Sequence, residues 1–367
     1  MRQKRTIPFK ITGIDSLGQG VSKLTEKVTF IPKTLPEEQG EAEVMSEKKG
    51  VVFARLKKLS TPSARRIKPS CIHFDVCHSC HFLHVSYEEE LNFKKESFEK
   101  LFRKLPLPAV EIIGAPARSG YRNRIQLHYS LRTKLLGMRD PQTFEITPVP
   151  QCLIALPEIV SELERLYKNH NWLKEVPPSV PMDGHLEIYW LNKELKVSWN
   201  RPYAEGGFTQ VYQEMNEKLK DILKNEWGFE DQAEVLDLFA GNGNMTQNLP
   251  FSRRLCIDVY QNETGPEFLN QNLYDNKARF NVKKELDKRK MVPLYLLLDP
   301  PRSGLKDLEQ WVETFSPKNI AYVSCDPHTL ARDLASLSDY VIKRAFLIDF
   351  FPSTFHFESL IFLERKS

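Results

Sequence analysis

Two residues with reactive side chains, Asp299 and Cys325, each follow a short apolar run toward the C-terminal end of the sequence. Such runs are typical of buried parallel strands, which end at the ligand-facing edge of an α/β sheet. Pro300 and Pro301 follow Asp299, and because proline cannot donate a ladder hydrogen bond, the strand must end there. We therefore expect Asp299 and Cys325 to lie side by side at a cleft. A deprotonated thiol there could add to an electron-poor carbon, although a lone cysteine is more often an inert core residue.

A second chemical motif is the glycine-rich turn Gly241–Gly243, which follows an apolar stretch that starts at Ala233. Glycines at a strand-to-helix turn let the backbone approach a nucleoside closely. A dinucleotide fingerprint would have a third glycine where this chain has Thr246, so the motif favours S-adenosylmethionine, which has no pyrophosphate. The next predicted strand ends at Asp258, whose carboxylate could hold two ribose hydroxyls.

Three cysteines within ten residues, Cys71, Cys77 and Cys80, could converge on one metal centre. Cys152 is the best candidate for a fourth ligand. Four thiolates suit either zinc or a cubane iron–sulfur cluster, and the spacing alone does not select between them. Imidazole favours zinc, and four histidines stand in the same stretch: His73, His78, His81 and His84. In a cytosolic chain disulfides are unlikely, so such clustering points to metal binding or catalysis.

The N-terminal region is basic. Residues 1–70 contain 15 Lys and Arg against 7 Asp and Glu, whereas the remainder contains 37 against 41. A positive field concentrated there suggests a polyanionic partner, although a solvated basic surface would give the same counts. Short apolar segments between glycine and proline turns over 7–59 predict a small β-barrel. The turns at Gly18–Val21 and Phe30–Glu38 resemble those of the TRAM domain, an RNA-binding module.

These patterns predict an α/β protein of three domains. Residues 1–60 form the TRAM-like or OB-like barrel, and residues 61–205 form a central β-rich region with the clustered cysteines. Residues 206–367 form a Rossmann-like, S-adenosylmethionine-binding catalytic domain, on which an amphipathic helix over 87–104 packs. The chain is 41% hydrophobic and 27% charged, and no segment resembles a membrane span or a signal peptide. We therefore expect a cytoplasmic protein with no membrane partner. We also expect a monomer, although the sequence does not determine the oligomeric state.

The glycine-turn strand, Asp299–Gly304, Ser324–Pro327 and a late acidic segment together resemble the RNA 5-methyluridine (uracil-C5) methyltransferases. The resemblance extends over nearly the whole chain and points to a subgroup typified by 23S ribosomal RNA methyltransferases, with a TRAM domain and a 4Fe-4S cluster. It implies Cys325 as the nucleophile and Glu358 as the general base. The implied cluster ligands are Cys71, Cys77, Cys80 and Cys152. Implied contacts with the cofactor or the target base come from Gln210, Phe239, Asn244, Asp258 and Asp299.

By that resemblance, the Cys325 thiolate adds to C6 of a flipped-out uracil, C5 takes the methyl group, and Glu358 removes the C5 proton. The chain departs from the family at Asp326, where Asn is frequent, and at Ser353, where His is frequent. The sequence does not locate the adenine-contacting residue between positions 258 and 294. Because both the nucleophile and the base are present, we favour an active enzyme.

Three functions are compatible with these observations. The leading one is S-adenosylmethionine-dependent methylation of uridine C5 in RNA, with 23S ribosomal RNA as the first candidate and transfer RNA as the second. A catalytically weakened iron–sulfur protein that binds RNA or assists ribosome assembly would explain the basic N-terminus and the departures. An amino-methyltransferase using the Asp-Pro-Pro strand end would need no nucleophilic cysteine.

Overall fold

The computed structural model describes residues 5–141, 143–201, 210–259 and 265–366. The chain folds into two compact units. The first unit comprises Met1–Ser97, Pro116–Pro202 and Phe351–His356, and the second comprises Phe98–Ala115, Tyr203–Phe350 and Phe357–Ser367. The domain boundary predicted between positions 205 and 206 lies outside the described residues, and the division into three domains remains a prediction.

The first unit begins with a closed barrel of five strands. They are β1 (Thr6–Ile14), β2 (Gln19–Ser22), β3 (Val28–Pro32), β4 (Gln39–Lys48) and β5 (Val51–Thr61). Their order is β1-β2-β3-β5-β4, so closure gives every strand two neighbours and leaves its ladder groups paired. Side chains that alternate along the strands fill the interior, among them Phe9, Ile11, Ile31 and Val52.

Helix α1 (Tyr87–Phe102) and strand β6 (Val110–Ile113) follow the cysteine-containing segment. The first turn of α1 carries three glutamates, which are favourable at the positive end of the helix dipole. This helix begins in the first unit, and its last five residues belong to the second.

An antiparallel sheet of five strands forms the rest of the first unit, in the order β11-β10-β7-β8-β9. Its strands are β7 (Arg124–Ser130), β8 (Leu135–Arg139), β9 (Ile146–Thr147), β10 (Asp183–Leu191) and β11 (Glu194–Trp199). Helices α2 (Pro157–Tyr167) and α3 (Asn171–Glu175) contribute to one core with the apolar side chains of β7 and β10. Because side chains alternate along a strand, the other face of β7 carries polar residues such as Gln126 and His128.

The second unit is built on a sheet of eight strands, in the order β14-β13-β12-β15-β16-β18-β17-β6. Besides β6, its strands are β12 (Glu234–Leu238), β13 (Arg253–Asp258), β14 (Phe268–Asn270), β15 (Tyr295–Leu298), β16 (Asn319–Ser324), β17 (Tyr340–Ile348) and β18 (Glu358–Arg365). Its helices are α4 (Gln213–Glu226), α5 (Ala278–Arg289), α6 (Leu308–Phe315) and α7 (Pro327–Leu334).

All strands of this sheet run parallel except β18, which is antiparallel to both of its neighbours. Strand β15 consists of four buried residues, as expected where both faces of a parallel sheet are covered. The predicted fold class, a Rossmann-like α/β sheet with a small N-terminal β-barrel, is therefore confirmed. Within the described part of the chain, no helix combines the length and apolarity needed to span a membrane.

Candidate active site

The carboxyl ends of four parallel strands meet at one edge of the eight-stranded sheet. Leu238 at the end of β12 pairs with Ile257 of β13 and with Leu298 of β15. Leu298 pairs in turn with Tyr322 of β16, three residues before Cys325. From β12 the chain continues to β13 and β14 on one side of that strand, and later to β15 and β16 on its other side. Open α/β sheets form their ligand crevice at such a switch point. The register thus brings Asp299 and Cys325 to the same edge, on neighbouring strands.

Glu358 reaches this edge from the opposite direction, because it is the first residue of the antiparallel strand β18. Ser324 pairs with Ser359 across the antiparallel ladder. Cys325 follows Ser324 and Glu358 precedes Ser359, so Cys325 and Glu358 stand next to each other. Glu358 is buried, and Cys325 is partly exposed. The sheet therefore brings together an accessible thiol and a buried carboxyl that are 33 positions apart in sequence.

Asp299, Glu358 and Cys325 at this edge all have raised pKa values. Desolvation raises the pKa of the Asp299 carboxyl to about 7, with a further contribution from Asp258. Burial, and then the Asp299 charge, hold the pKa of Glu358 well above its ordinary value, and the Arg302 guanidinium opposes them. Burial raises the pKa of the Cys325 thiol to about 12, with Glu358 adding to the effect and Arg302 opposing it. A cation brought into this cleft would lower all three pKa values.

The glycine turn after β12 folds back on the end of β13. Phe239, Gly241 and Gly243 all have left-handed backbone angles, with φ of 62°, 53° and 73°. The Gly241 N–H donates to Asp258 Oδ2 at 2.9 Å, which fixes that carboxylate beside the turn. The hydroxyl of Thr246, which stands where a dinucleotide site would have its third glycine, donates to the buried Asp237 carboxylate at 2.7 Å. Thr246 thus makes an internal hydrogen bond that a glycine at position 246 could not make.

Two further predicted contact residues lie near helix α4. Gln210 is partly buried and precedes the helix by three residues. Asn244 is exposed, and its amide donates to Asn216 Oδ1 on α4 at 3.1 Å. The tether holds the glycine turn against α4.

The sequence did not reveal the residues that follow β14, because that strand has only three residues and lies in a stretch rich in Lys and Glu. Asn270 pairs with Asp258 at the edge of the sheet, and the Gln271 N–H donates to Asp258 O at 3.1 Å. The ring of Tyr274 lies 5.5 Å from the ring of Phe239, centroid to centroid. These polar and aromatic groups therefore extend the crevice beyond Asp258.

The loop after β15 is anchored by Asp333, which the sequence also did not single out. The buried Asp333 carboxylate accepts from the Leu305 N–H at 2.7 Å and from the Tyr322 hydroxyl at 2.6 Å. Gly304 has φ of 65°, and a Cβ there would overlap with Asp333 Oδ2. This close approach explains the glycine of the Asp-Pro-Pro-Arg-Ser-Gly motif. It also fixes the loop that carries Arg302.

Asp326, the first departure from the family pattern, caps helix α7. Its carboxylate accepts from the backbone N–H groups of His328 at 2.9 Å and Thr329 at 3.3 Å. Asp and Asn serve about equally well as N-cap residues. The departure therefore preserves the local structure next to the thiol.

The second departure, Ser353, lies in the segment of the first unit that precedes Glu358 in sequence. Ser353 is buried with a left-handed φ of 73°, and its N–H donates to Glu90 Oε1 at 2.7 Å. Its carbonyl accepts from the His81 N–H at 2.7 Å. The Lys94 ammonium and the Arg118 guanidinium each donate to the Glu90 carboxylate at 2.7 Å. A buried charge network thus fixes this segment, and neither Glu90 nor Lys94 was indicated by the sequence.

The four predicted metal-binding cysteines lie in the first unit, and they are near one another. Burial raises the pKa of the Cys80 thiol, and the charges of Cys152, Cys77 and Cys71 raise it further. The Lys33 ammonium donates to Cys77 O at 2.7 Å. The described residues nevertheless contain no group of three or more His, Cys, Asp or Glu side chains arranged to hold a metal ion. Four soft thiols suit zinc or iron by chemistry, but their arrangement is not that of a formed metal site.

Comparison with known proteins places these features in context. The sequence model of the family "tRNA (Uracil-5-)-methyltransferase" matches residues 264–366, which include Asp299, Cys325 and Glu358. The 23S rRNA (uracil(1939)-C(5))-methyltransferase of Shewanella woodyi is 28% identical over 437 aligned positions, which cover 98% of this chain and 96% of that protein. The enzyme of the same name from Enterobacter sp. is 29% identical, with 98% and 97% covered.

A solved structure has the same fold over nearly its full length. It is the Pyrococcus abyssi tRNA (uracil-54, C5)-methyltransferase in complex with S-adenosyl-L-homocysteine. The TM-score is 0.70 at 18% identity, and the alignment covers 97% of this chain and 99% of that one. Asp299, Cys325 and Glu358 thus lie in the segment matched by the family model, and this chain is similar over nearly its whole length to RNA uracil-5-methyltransferases, as its sequence resemblance predicted.

Proposed function

We propose that the protein transfers a methyl group from S-adenosylmethionine to C5 of a uridine in RNA. The observation that carries the proposal is the pairing of Ser324 with Ser359, which sets the Cys325 thiol beside the Glu358 carboxyl at the ligand-binding edge of the sheet. The family and the names of the full-length relatives support the same reaction.

In this mechanism Cys325, after its thiol has lost its proton, attacks C6 of the uracil as the thiolate, and the C5=C6 electrons move onto the ring as an enolate. C5 then attacks the methyl carbon. Bound at this edge, S-adenosylmethionine would supply that methyl group on a cationic sulfonium, and its sulfur would keep the electron pair of the broken S–CH3 bond and leave as a neutral thioether. Glu358 as carboxylate takes the proton from C5, the double bond re-forms, and the Cys325 thiolate leaves C6. The target base must be unpaired or flipped to reach a thiol in this position.

The contacts proposed for the cofactor and the base follow from the crevice. Asp258, next to the glycine turn, is placed to hold ribose hydroxyls, and Phe239 to contact the nucleoside. Gln210 and Asn244 contribute from the side of α4. Asp299, whose pKa of about 7 leaves much of it protonated near neutral pH, can donate a hydrogen bond to a carbonyl of the base. Asn270 and Gln271 are our candidates for the adenine contact that the sequence did not locate.

We propose 23S ribosomal RNA as the substrate, because the full-length relatives are named for it. Transfer RNA is the alternative, because the solved structure with the same fold is named for that substrate. Methylation of a transcribed 23S fragment and of unmodified transfer RNA, followed by mapping of 5-methyluridine by mass spectrometry, separates the two. A methyl group on an exocyclic nitrogen would instead indicate an amino-methyltransferase.

We also propose that Cys71, Cys77, Cys80 and Cys152 hold a 4Fe-4S cluster. The support is the set of four thiols, which lie close enough for their charges to interact. Such a cluster would cross-link the segment 71–80 to residue 152 and need take no part in methyl transfer. Anaerobic purification followed by iron and sulfide analysis tests the proposal, and stoichiometric zinc would refute it.

We also propose a role for the barrel, a division into domains, and an oligomeric state and location. The barrel over 1–60, which is basic and closed, binds RNA as a TRAM-like domain, residues 61–205 form a central domain, and residues 206–367 form a catalytic domain. The protein acts as a monomer in the cytoplasm. Light scattering during size-exclusion chromatography tests the monomer, and deletion of residues 1–60 tests whether the barrel contributes to RNA affinity.

The decisive test of the reaction uses RNA that contains 5-fluorouridine. Fluorine at C5 cannot leave as a proton does, so a reaction through Cys325 stops at a covalent adduct visible on a denaturing gel. We expect an adduct with the wild-type protein and none with Cys325→Ala. A wild-type protein that forms no adduct with ribosomal or transfer RNA would favour the alternative of an RNA-binding protein without this activity.

A further inference from the structure

A groove of about 820 Å³ lies on the five-stranded sheet of the first unit. Its walls come from β7, β8, β9, β10 and the β8–β9 turn. Six of the lining residues give the groove its chemical character: His128, Arg139, Phe144, Glu145, Asp183 and His185. None of them belongs to the catalytic edge or to the cysteine segment.

Phe144 is displayed in this groove by an unfavourable backbone conformation. It has φ of 62°, which is rare for a bulky residue, and its side chain is 65% exposed. The Phe144 N–H donates to Asp140 O at 2.9 Å, and the buried Asp140 carboxylate accepts from Arg55 Nη2 at 3.2 Å. Backbone strain and an exposed aromatic ring both cost free energy. Their coincidence on an anchored turn indicates a function in binding.

The Arg139 guanidinium lies 5.4 Å from the centroid of the Phe144 ring. A guanidinium placed over an aromatic ring forms a stacked pair of the kind on which unpaired bases can stack in turn. Either partner can receive a base, because every base has a π face. The pair therefore resembles a stacking site more than a protein-binding patch, which would need a larger apolar area.

The remaining polar groups suit the edges of a base rather than a phosphate backbone. His128 pairs directly with His185 across the sheet, so both imidazoles lie on the groove face. Burial, and then the nearby Arg139 charge, lower the pKa of His128 and favour the neutral ring, which offers one donor and one acceptor. Glu145 and Asp183 add acceptors that match exocyclic amino groups and would repel phosphates.

We propose that this groove binds an unpaired nucleotide of the RNA substrate, with its base stacked on Phe144 and Arg139. The inference rests on the proposed function only in naming the substrate RNA as the source of that nucleotide. By this proposal the five-stranded sheet recognises a nucleotide of the RNA other than the target uridine. RNA sequences are recognised mainly through such unstacked bases in loops.

The test measures binding of a fluorescein-labelled single-stranded RNA of mixed sequence, by anisotropy, to the full-length protein. We expect Phe144→Ala to weaken binding about tenfold, because loss of one stacking contact typically costs that much. Arg139→Gln should also weaken it. Phe144→Tyr should bind as the wild type does, and Phe144→Leu should be as weak as Phe144→Ala, because leucine keeps the apolar contact but cannot stack.

Matched controls come from helix α5 in the second unit. Phe280 is 70% exposed, and Lys288 has a side chain that is 76% exposed, so Phe280→Ala and Lys288→Gln remove comparable groups elsewhere. Both should bind RNA as the wild type does. Thermal unfolding of each variant verifies that it is folded.

The outcomes separate this inference from the proposed function. Wild-type affinity in both Phe144→Ala and Arg139→Gln would overturn the inference, as would equal losses in the control variants or full retention in Phe144→Leu. A protein that methylates RNA with an unchanged KM in Phe144→Ala would overturn it while leaving the function intact. Conversely, Phe144-dependent binding by a protein that methylates no RNA would support the groove and refute the enzyme.

Discussion

The catalytic edge and the cysteine segment are two predicted sites of the same chain, and different forces hold them. At the edge, Cys325 follows Ser324 and Glu358 precedes Ser359, and the two serines are paired in a backbone ladder. The cysteines of segment 71–80 lie instead in irregular backbone, and the segment is joined to the barrel by the Lys33 ammonium, which donates to Cys77 O. The fold alone places the residues of the first predicted site next to each other, whereas the cysteines of the second are near one another but, among the described residues, not in a metal-binding arrangement.

The difference teaches when a site needs its ligand in order to form. Ladder hydrogen bonds and buried apolar strands form with the fold itself, so they fix the thiol and the carboxyl in advance. Clustered thiols repel one another once they are deprotonated, and this repulsion adds to burial in raising the pKa of Cys80. Metal binding must displace those protons and supply the positive charge that brings the sulfurs together.

The largest effect is expected from removal of the nucleophile. Cys325→Ala should lower methylation by about 10⁴-fold or more, because the reaction has no alternative route to an activated C5. The measurement is incorporation of labelled methyl groups into RNA under single-turnover conditions. Methylation at more than a few per cent of the wild-type rate would show that the edge is not the reacting site.

Loss of the base should separate the two halves of the reaction. Glu358→Gln should lower product release by about 10²- to 10⁴-fold, since the C5 proton then has no acceptor. Addition and methyl transfer precede that step, so a covalent adduct should accumulate on ordinary uridine RNA, without fluorine. A variant that is slow but shows no adduct would mean that Glu358 serves an earlier step.

A change in the loop after β15 should show how rigid the edge is. Gly304→Ala places a Cβ against Asp333 Oδ2 at φ of 65° and should destabilise the protein by about 2–4 kcal/mol in urea unfolding. Gly50→Ala is the matched control, because Gly50 has φ of 82° but open space around its Cβ. It should cost only the backbone term, about 1–2 kcal/mol. Equal costs for the two variants would argue against a tight contact at Asp333.

A cysteine variant tests the other side of the comparison. Cys80→Ser should abolish retention of the metal and lower the thermal stability of the protein, because a ligand is lost. The adduct reaction at the catalytic edge should fall by less than about tenfold, since transition-state contacts are untouched. Metal content, thermal unfolding and the 5-fluorouridine assay measure the three effects. A loss of adduct as complete as in Cys325→Ala would mean that the two sites are not independent.

The smallest effect concerns the protonation of the thiol. Because the pKa of Cys325 is about 12, its alkylation by iodoacetamide should be slow near neutral pH and accelerate as pH rises toward 12. S-adenosylmethionine should increase the neutral-pH rate about tenfold by lowering that pKa by about one unit, through its sulfonium charge. S-adenosylhomocysteine, which is not a sulfonium, is the control and should not accelerate alkylation. Equal alkylation rates with both compounds would mean that the sulfonium charge does not lower the pKa of Cys325.

Several elements could be predicted from the sequence because their signals are local. The apolar run that ends at Asp299 and the glycines after β12 mark strand ends, and a parallel sheet collects such ends at one edge. Strand β14 has three residues and no comparable signal, so the groups that extend the crevice beyond Asp258 were not found.

Other functional neighbours could not be predicted, because they arise from pairings between distant positions. Asp333 contacts the Leu305 N–H across 28 positions, and Glu90 contacts the Ser353 N–H across 263. A charged residue on a helix is usually solvated, so its sequence gives no sign that it is buried in a network. Phe144 is likewise an ordinary aromatic residue until its left-handed turn is known.

The sequence by itself was enough to predict the reacting groups, the family resemblance and a nucleoside-binding turn, because those predictions depend on residue types at short spacing. The tertiary structure alone decided that Glu358 stands beside Cys325. Glu358 begins β18, and it reaches Cys325 because β18 pairs antiparallel with β16. It also decided the direction of the pKa shifts of Cys325 and Glu358, because desolvation and neighbouring charges depend on which groups lie in the same cleft.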